Sequence, residues 1–303
     1  ELSQYNRAPD AVNHKENKKR GKIAIVYAIG SIESGEGDDE SIGSERISEA
    51  IRKVRKDSTI KAIVLRVNSP GGSALASEII WREVDLARKE KPVVVSMGDV
   101  AASGGYYIAC AADAIVAQPN TITGSIGVFG VMPNLQKFFN NKLGITIDTV
   151  NTNKHSDMGS VFRPVSSAES MIIQKEIERI YNTFIGHVAE GRKMSLEAVD
   201  SIGQGRVWTG IDAKRIGLVD ELGGIHTALE LAAKKANLKN YKIIELPKQK
   251  EPFEELLKEF SGDAAVKVMK NELGENYNYY KEMKQMMDIK GVQARMFYNI
   301  ILN

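Results

Sequence analysis

An α/β fold built from βαβ units on a mostly parallel sheet is predicted for this 303-residue chain by three observations. Short runs rich in Val, Ile and Leu alternate with amphipathic stretches of helical length, the crossovers that parallel pairing requires. Glycine-rich turns follow the buried runs, where open α/β sheets place their sites. The composition, 43% hydrophobic and 26% charged, is that of a globular chain and excludes disordered, collagen-like and coiled-coil readings.

Residues 1–21 are polar, lack an apolar period and read as a linker or arm. The basic group Lys15, Lys18, Lys19, Arg20 and Lys22 belongs to that solvated stretch. A domain is expected over 22–246. Lys22–Ile29 reads as a strand, Ser44–Lys56 as a helix and Lys61–Val67 (KAIVLRV) as a buried strand. Ser77–Lys89 reads as a helix and Pro92–Met97 (PVVVSM) as another buried strand. A short helix over Gly104–Ala112 precedes three strand candidates, Ala114–Ala117, Ile126–Phe129 and Ile145–Val150. Ser166, Ser167 and Glu169 form a helix start, and Met171, Ile172, Ile177, Ile180, Phe184 and Val188 set one apolar face behind it. Ser195–Ile202, Thr209–Ile216 and Ile225–Ala236 read as shorter helices, with Tyr241–Leu246 as an edge strand. After Pro247 the composition shifts to Lys, Glu, Met and Tyr, so 247–303 is expected to be a helical extension that packs on a neighbour, with helices over Asp263–Asn303.

Several classes of function are excluded early. With 41 basic and 39 acidic residues there is no nucleic-acid footprint. A single cysteine, Cys110, excludes an internal disulfide and, within the apolar run Ile108–Ala112, reads as a buried thiol. Four histidines without ligand spacing give no metal signal, and no cofactor motif is present. No apolar stretch reaches the ~18 residues of a membrane span, and no signal peptide is visible. The chain starts at Glu1, so it is expected to be part of something longer, with any membrane anchor outside it.

Three turns carry the candidate chemistry. Asn68-Ser69-Pro70-Gly71-Gly72-Ser73 follows KAIVLRV, and its paired glycines let backbone N–H groups approach an anion. It is neither a Walker A loop nor a G-x-G-x-x-G turn. Ala101-Ala102-Ser103-Gly104-Gly105-Tyr106 follows PVVVSM, with Ser103 uncrowded at a helix start: a nucleophile or a plain N-cap. It is not the G-x-S-x-G elbow. Thr121-Ile122-Thr123-Gly124-Ser125-Ile126-Gly127 puts Ser125 22 residues after Ser103, one strand further on. A nucleophilic serine needs a base. His155, His187 and His226 lack a strand-end setting and read as structural or solvated, and Asp157 beside His155 does not define a triad. A lysine of lowered pKa is the other option.

Taken together, NSPGGS at 68–73, VAASGGYY at 100–107, TITGSIGVFG at 121–130 and GQGRVWTGIDAKRIGLVDELGG at 203–224 resemble the signal peptide peptidase A (protease IV) family. The resemblance covers roughly 22–246 and implies a crotonase/ClpP-like fold and a Ser/Lys serine peptidase. It implies Ser103 as nucleophile, Ser125 as the hydroxyl that positions the lysine, and the N–H groups of Gly72 and Gly104 as oxyanion donors, with Gly71 shaping the turn. Cleaved signal peptides are the implied substrates, in the cytoplasmic membrane of a bacterium with the site facing outward, in a ring-like homo-oligomer. One departure stands out. Single-domain members carry the lysine in an Ile/Val-Lys-Ser-Gly segment, and here Asn151 of Val150-Asn151-Thr152-Asn153 occupies that place. Long members resemble two fused copies, the N-terminal copy giving the lysine and the C-terminal copy the serine. The chain is therefore expected to be such a C-terminal half, with the N-terminal half of the same polypeptide as its partner and Lys154 as the in-chain rival. The competing readings are a stomatin-partner type protease of the same fold, a crotonase-type acyl-CoA enzyme without a nucleophilic serine, and an inactive scaffold. Val128–Met132 and the pair Tyr106/Tyr107 either line an apolar cleft or belong to the core.

Overall fold

The computed structural model describes residues 21–38, 40–247 and 292–296. In chain order its elements begin with β1 (Gly21–Ile29), β2 (Ser31–Glu33), β3 (Ser41–Gly43), α1 (Ser44–Lys56), β4 (Ile60–Ser69) and β5 (Gly71–Ser73). Then come α2 (Ala74–Arg88), β6 (Val93–Ala102), α3 (Gly104–Ala109), β7 (Ala114–Ala117), β8 (Ile122–Gly124) and β9 (Phe129–Gly130). Short helical turns over Gln136–Phe138 and Phe139–Leu143 follow, and the remainder is α4 (Ser167–Arg192), α5 (Leu196–Ile202), β10 (Val207–Thr209), α6 (Gly210–Arg215), β11 (Glu221–Leu222), α7 (Ile225–Lys235), β12 (Tyr241–Leu246) and β13 (Val292–Arg295).

The main sheet runs β10-β8-β6-β4-β1-β12, with β7 beside β6 and β11 beside β7. Every pairing in it is parallel except β10 on β8. Its central strands β1, β4 and β6 are mostly apolar because both faces are covered. On β1, Ile23 and Ile25 face one side, where Ala228, Leu229, Ala232 and Ala233 of α7 cover them. Ala24, Val26 and Ala28 face the other, packed with Ile47, Ile51 and Val54 of α1 and Ile80 and Val84 of α2.

Strand β6 forks, and the fork positions the site. Val94–Ser96 pair with β7, whereas Val100–Ala102 pair with β8. Where β4 and β6 slip register, Asn68 fills the gap: its Oδ1 accepts the Val100 N–H at 3.1 Å. A second, five-stranded sheet, β3-β2-β5-β13-β9, stands at the C-terminal end of β4.

Most expected elements are present within a few residues of their predicted bounds. Four expectations fail. Ile126–Phe129 is not a strand; β8 stops at Gly124 because Gly124 (φ +75°) and Ser125 (φ +46°) are left-handed, and pairing resumes only at β9. Ile145–Val150 carries no strand: the sheet edge beyond β8 is taken by the unpredicted β10, and Val150 lies 98% exposed. On α4, Met171 and Ile172 are exposed, and the helix docks through Phe184, Ile185 and Val188 instead. Of the expected helical extension, Val292–Arg295 is a strand, since β5 and β9 offer it backbone partners on both edges; 248–291 and 297–303 lie outside the described residues, as do 1–20 of the expected arm.

Helix α4 does keep its predicted start, a capping box between Ser166 and Glu169. Its last turn is pressed against α3: a Cβ on Gly191 would stand 1.9 Å from the Cys110 carbonyl oxygen. Gly191→Ala is therefore expected to lower stability by about 2 kcal/mol through overpacking, read as a lower urea midpoint at unchanged slope. An unshifted midpoint would show that this contact does not hold α4.

Candidate active site

The two serine turns meet because of strand register. Ala102 of β6 pairs with Gly124 of β8, so Ser103 and Ser125 leave neighbouring parallel strands at the same level. The Ser103 N–H donates to the Gly124 carbonyl at 2.8 Å and locks one turn to the other. Both serines are left-handed, Ser103 at φ +52° and Ser125 at φ +46°, a conformation that non-glycine residues avoid. The Ser103 hydroxyl donates to the Gly127 carbonyl at 3.3 Å, and the residue is fully buried.

Two threonines of the third turn bind β8 to β6, a role not read from the sequence. Thr121 Oγ1 donates to the Gly98 carbonyl and Thr123 Oγ1 to the Ala101 carbonyl, each at 2.7 Å. The GQGRVWTG segment braces the same turn from outside. The Arg206 carbonyl accepts the Ser125 N–H at 2.7 Å, the Gly205 N–H donates to the Ile126 carbonyl at 2.8 Å, and β10 pairs antiparallel with β8. The signal that would have revealed this is the one polar-flanked Val-Trp-Thr run following a Gly-x-Gly turn. Beside Ser125 opens a cavity of about 420 Å³ lined by Gly127, Val128, Phe129, Tyr181 and Arg295 among others.

The first turn joins the other two from the opposite side. Gly71 is left-handed (φ +99°), and its backbone lies so close that a Cβ there would stand 2.7 Å from the Gly104 nitrogen. Gly71 of β5 thus lies against Gly104, which follows Ser103 at the start of α3, while the next residue, Gly72, packs on the Ile32 backbone of β2. Ser69, fully buried, accepts the Gly71 N–H at 3.1 Å and fixes the turn.

Helix α3 is held rigidly. Tyr106 donates its hydroxyl to the Leu218 carbonyl at 2.8 Å and Tyr107 to Glu78 Oε2 at 2.5 Å; both tyrosines are core, and burial above all pushes their phenols up. Cys110 is buried as expected, which raises its thiol pKa. His187 is structural: it stacks on Trp81 at 3.4 Å and its Nε2 lies 3.0 Å from Glu78. That hydrogen bond, with the one from Tyr107, holds the Glu78 carboxyl below its ordinary value against partial burial.

The segment expected to carry a base stands apart. Lys154 is exposed, and among the described residues no lysine is hydrogen-bonded to Ser103 or Ser125. Asp157 pairs with Arg163 (2.7 and 2.8 Å) and not with His155. Arg163 also grips Glu169 at 2.6 Å and, as the largest cause, holds its carboxyl far below the usual range.

A forked parallel sheet with a strained serine at the start of a helix and a paired-glycine strand beside it is a ClpP-like arrangement, and residues 34–123 match the Clp protease family model. Residues 85–239 match Peptidase family S49, and the chain belongs to that family. It is 44% identical over 230 residues to Protease 4 of Haemophilus influenzae, covering 76% of this chain and 37% of that one. Serine protease SPPA, chloroplastic, of Arabidopsis thaliana is 38% identical over 282 residues, 91% of this chain and 41% of its own. A putative signal peptide peptidase SppA of Enterococcus faecium is 34% identical over 231 residues, 76% and 67%. The chain thus spans about two-fifths of the length of the first two.

Thr123→Val, which strips the Ala101 carbonyl of its buried donor, is expected to cost about 1–2 kcal/mol, and Thr123→Ser to recover most of it; urea midpoints of the three proteins decide. Glu78 gives a pH test. Its folded pKa is depressed, so its contribution is complete above the unfolded value near 4.5 and is lost as pH falls through the lower folded value. Glu78→Gln is expected to flatten the fall in stability below about pH 4.5, and an unchanged acid limb would refute this.

Proposed function

We propose that this chain is the serine-bearing part of a Ser/Lys endopeptidase that degrades apolar peptides, cleaved signal peptides foremost, with residues 22–246 as its peptidase domain. The observation that carries this reading is the convergence of the Ser103, Ser125 and Gly71-Gly72 turns on one end of the sheet in a chain of Peptidase family S49. The relatives it matches, a Protease 4, a serine protease SPPA and a putative signal peptide peptidase, support it.

In this mechanism Ser103 Oγ attacks the scissile carbonyl as a lysine amine takes its proton. The Ser125 hydroxyl orients that amine. The tetrahedral oxyanion sits on the N–H groups of Gly72 and Gly104, donors typically worth ~3–4 kcal/mol. Collapse forms the Ser103 ester, the lysine returns its proton to the leaving amine, and water then cleaves the ester by the same route in reverse.

The lysine comes from outside this chain. Supporting this are Asn151 at the place of the family lysine, the exposed position of Lys154, and the chain's short span of its longer relatives. The same reading assembles the protein into a homo-oligomer at the outer side of a cytoplasmic membrane, anchored by a segment other than the described ones, in which no helix is long and apolar enough to cross a membrane.

A fluorogenic apolar peptide tests the reading, offered to this chain alone and to the chain joined to the upstream half found in the long relatives. Cleavage is expected only in the joined protein, with a loss of at least about 10³-fold in Ser103→Ala and full activity in Lys154→Ala. Cleavage by this chain alone that disappears in Lys154→Ala would place the base in the chain. No cleavage by either folded protein would remove the peptidase reading.

A further inference from the structure

A second cavity, sharing no residue with the one beside Ser125, holds about 420 Å³ between the start of α2 and the middle of α4. Ala74, Leu75, Tyr107 and Ile180 give it largely apolar walls, and Leu75 stands 66% exposed. One unpaired charge is set into those walls, the carboxylate of Glu78.

Glu78 is arranged to stay ionised and to keep one oxygen open. Its Oε2 accepts the Tyr107 hydroxyl at 2.5 Å and lies 3.0 Å from His187 Nε2. Among the described residues no hydrogen bond reaches Oε1. The His187 bond, more than any other cause that lowers it, holds the carboxyl below its ordinary value, so it is a carboxylate at neutral pH. The neighbouring charges are already satisfied. Arg179 donates to both oxygens of Glu176, at 2.5 and 2.9 Å, and Arg82, one turn along α2 from Glu78, turns to Asp85 at 3.4 Å.

A single carboxylate among apolar side chains suits a cation carried on an apolar stem, with the methylenes on the walls and the head on the oxygen. The form of that head is also selected. An arginine fork engages both carboxylate oxygens, and Oε2 is taken, whereas an ammonium needs only Oε1. The cavity adjoins the serine turn: Ala74 follows Ser73 at the end of β5, and Tyr107 lies one turn along α3 from Ser103. Signal peptides carry basic residues beside their apolar run.

We propose that this cavity binds a lysine side chain of the peptide substrate, with its ammonium on Glu78 Oε1 and its methylenes along Leu75 and Ile180. The identity of the ligand rests on the peptidase reading above, whereas the cavity itself calls only for an alkylammonium group. A cleft for apolar peptides thereby gains one charged point of selection.

Two titrations test this without catalysis. n-Hexylamine and its uncharged counterpart n-hexanol are added to this chain while the methyl resonances of Leu75 and Ile180 are followed. The amine is expected to shift them saturably and to bind at least about tenfold tighter than the alcohol. Glu78→Gln is expected to close that gap. Thr183→Phe, which fills the cavity from α4, is expected to abolish both responses and serves if Glu78→Gln does not fold. Equal binding of amine and alcohol, or an amine response unchanged in the folded variants, would overturn the proposal.

Fluorescein-labelled apolar heptapeptides, each with one lysine or one norleucine at the same place, then identify the ligand by anisotropy in the Ser103→Ala form of the joined protein. Lysine is expected to bind at least about tenfold tighter at one place only, and Glu78→Gln to erase the difference. No lysine preference at any place would overturn the proposal in favour of a free amine. Cleavage by the joined wild-type protein reports on the peptidase reading separately. Lysine-selective binding without cleavage removes that reading and keeps the cavity's role; cleavage without lysine selectivity does the reverse.

Discussion

The parallel ladder between the second half of β6 and β8 is the constraint on which the rest depends. One strand of ten residues serves two neighbours in succession, β7 and then β8. Without that fork Ser103 and Ser125 would leave the sheet at different levels. Few bonds secure it: the short β8 has three register pairs, so the two buried threonine hydroxyls and the Ser103 N–H bond to Gly124 supply fixity that the ladder alone lacks. The β10 hairpin-like edge completes the clamp. This explains why a motif some eighty residues further on, GQGRVWTG, belongs to the same site as TITGS.

Backbone strain and glycine close-packing then do different jobs around Ser103. Positive φ at Ser103 and Ser125 is tolerated because both residues are buried and held on each side by backbone hydrogen bonds. At Gly71 and Gly104 the requirement is space, since either Cβ would enter the gap between β5 and α3 where an oxyanion is expected. The helix behind is kept immobile by Tyr106 and Tyr107, each tied by its hydroxyl to a separate part of the fold.

What the sequence made legible follows from the range of the forces involved. Runs such as KAIVLRV and PVVVSM declare buried parallel strands because both faces must be apolar, and the Ser166/Glu169 capping box is a local hydrogen-bond pattern. Ile126–Phe129 misled because Ile126 is buried yet lies in a turn, its neighbours' φ values ending β8 early. Ile145–Val150 has strand composition but no free edge to join, a fact about β10 and not about those six residues. Val292–Arg295 was hidden for the same reason: VQAR has no strong pattern, and its partners Gly71–Ser73 lie far earlier in the chain. For the site, the serine and glycine turns were readable as motifs, whereas Thr121, Thr123 and Arg206 act through hydrogen bonds that only the fold creates.

On the proposed reading, the resting hydrogen bond of Ser103 bears on how a divided site would stay silent. Its hydroxyl donates to the Gly127 carbonyl at 3.3 Å, long for an O–H···O bond, so the proton is parked on a weak acceptor that cannot remove it. An alcohol in that state is a poor nucleophile. On the proposed reading, activation needs an amine to arrive beside Ser125, where the cavity lies next to Gly127, and to take over the Ser103 proton from that carbonyl. On that reading nucleophile, donors and cleft belong to one chain, and the proton acceptor is left to an outside group. Reactivity then follows assembly, because the one missing part is the one that cannot be supplied by the backbone.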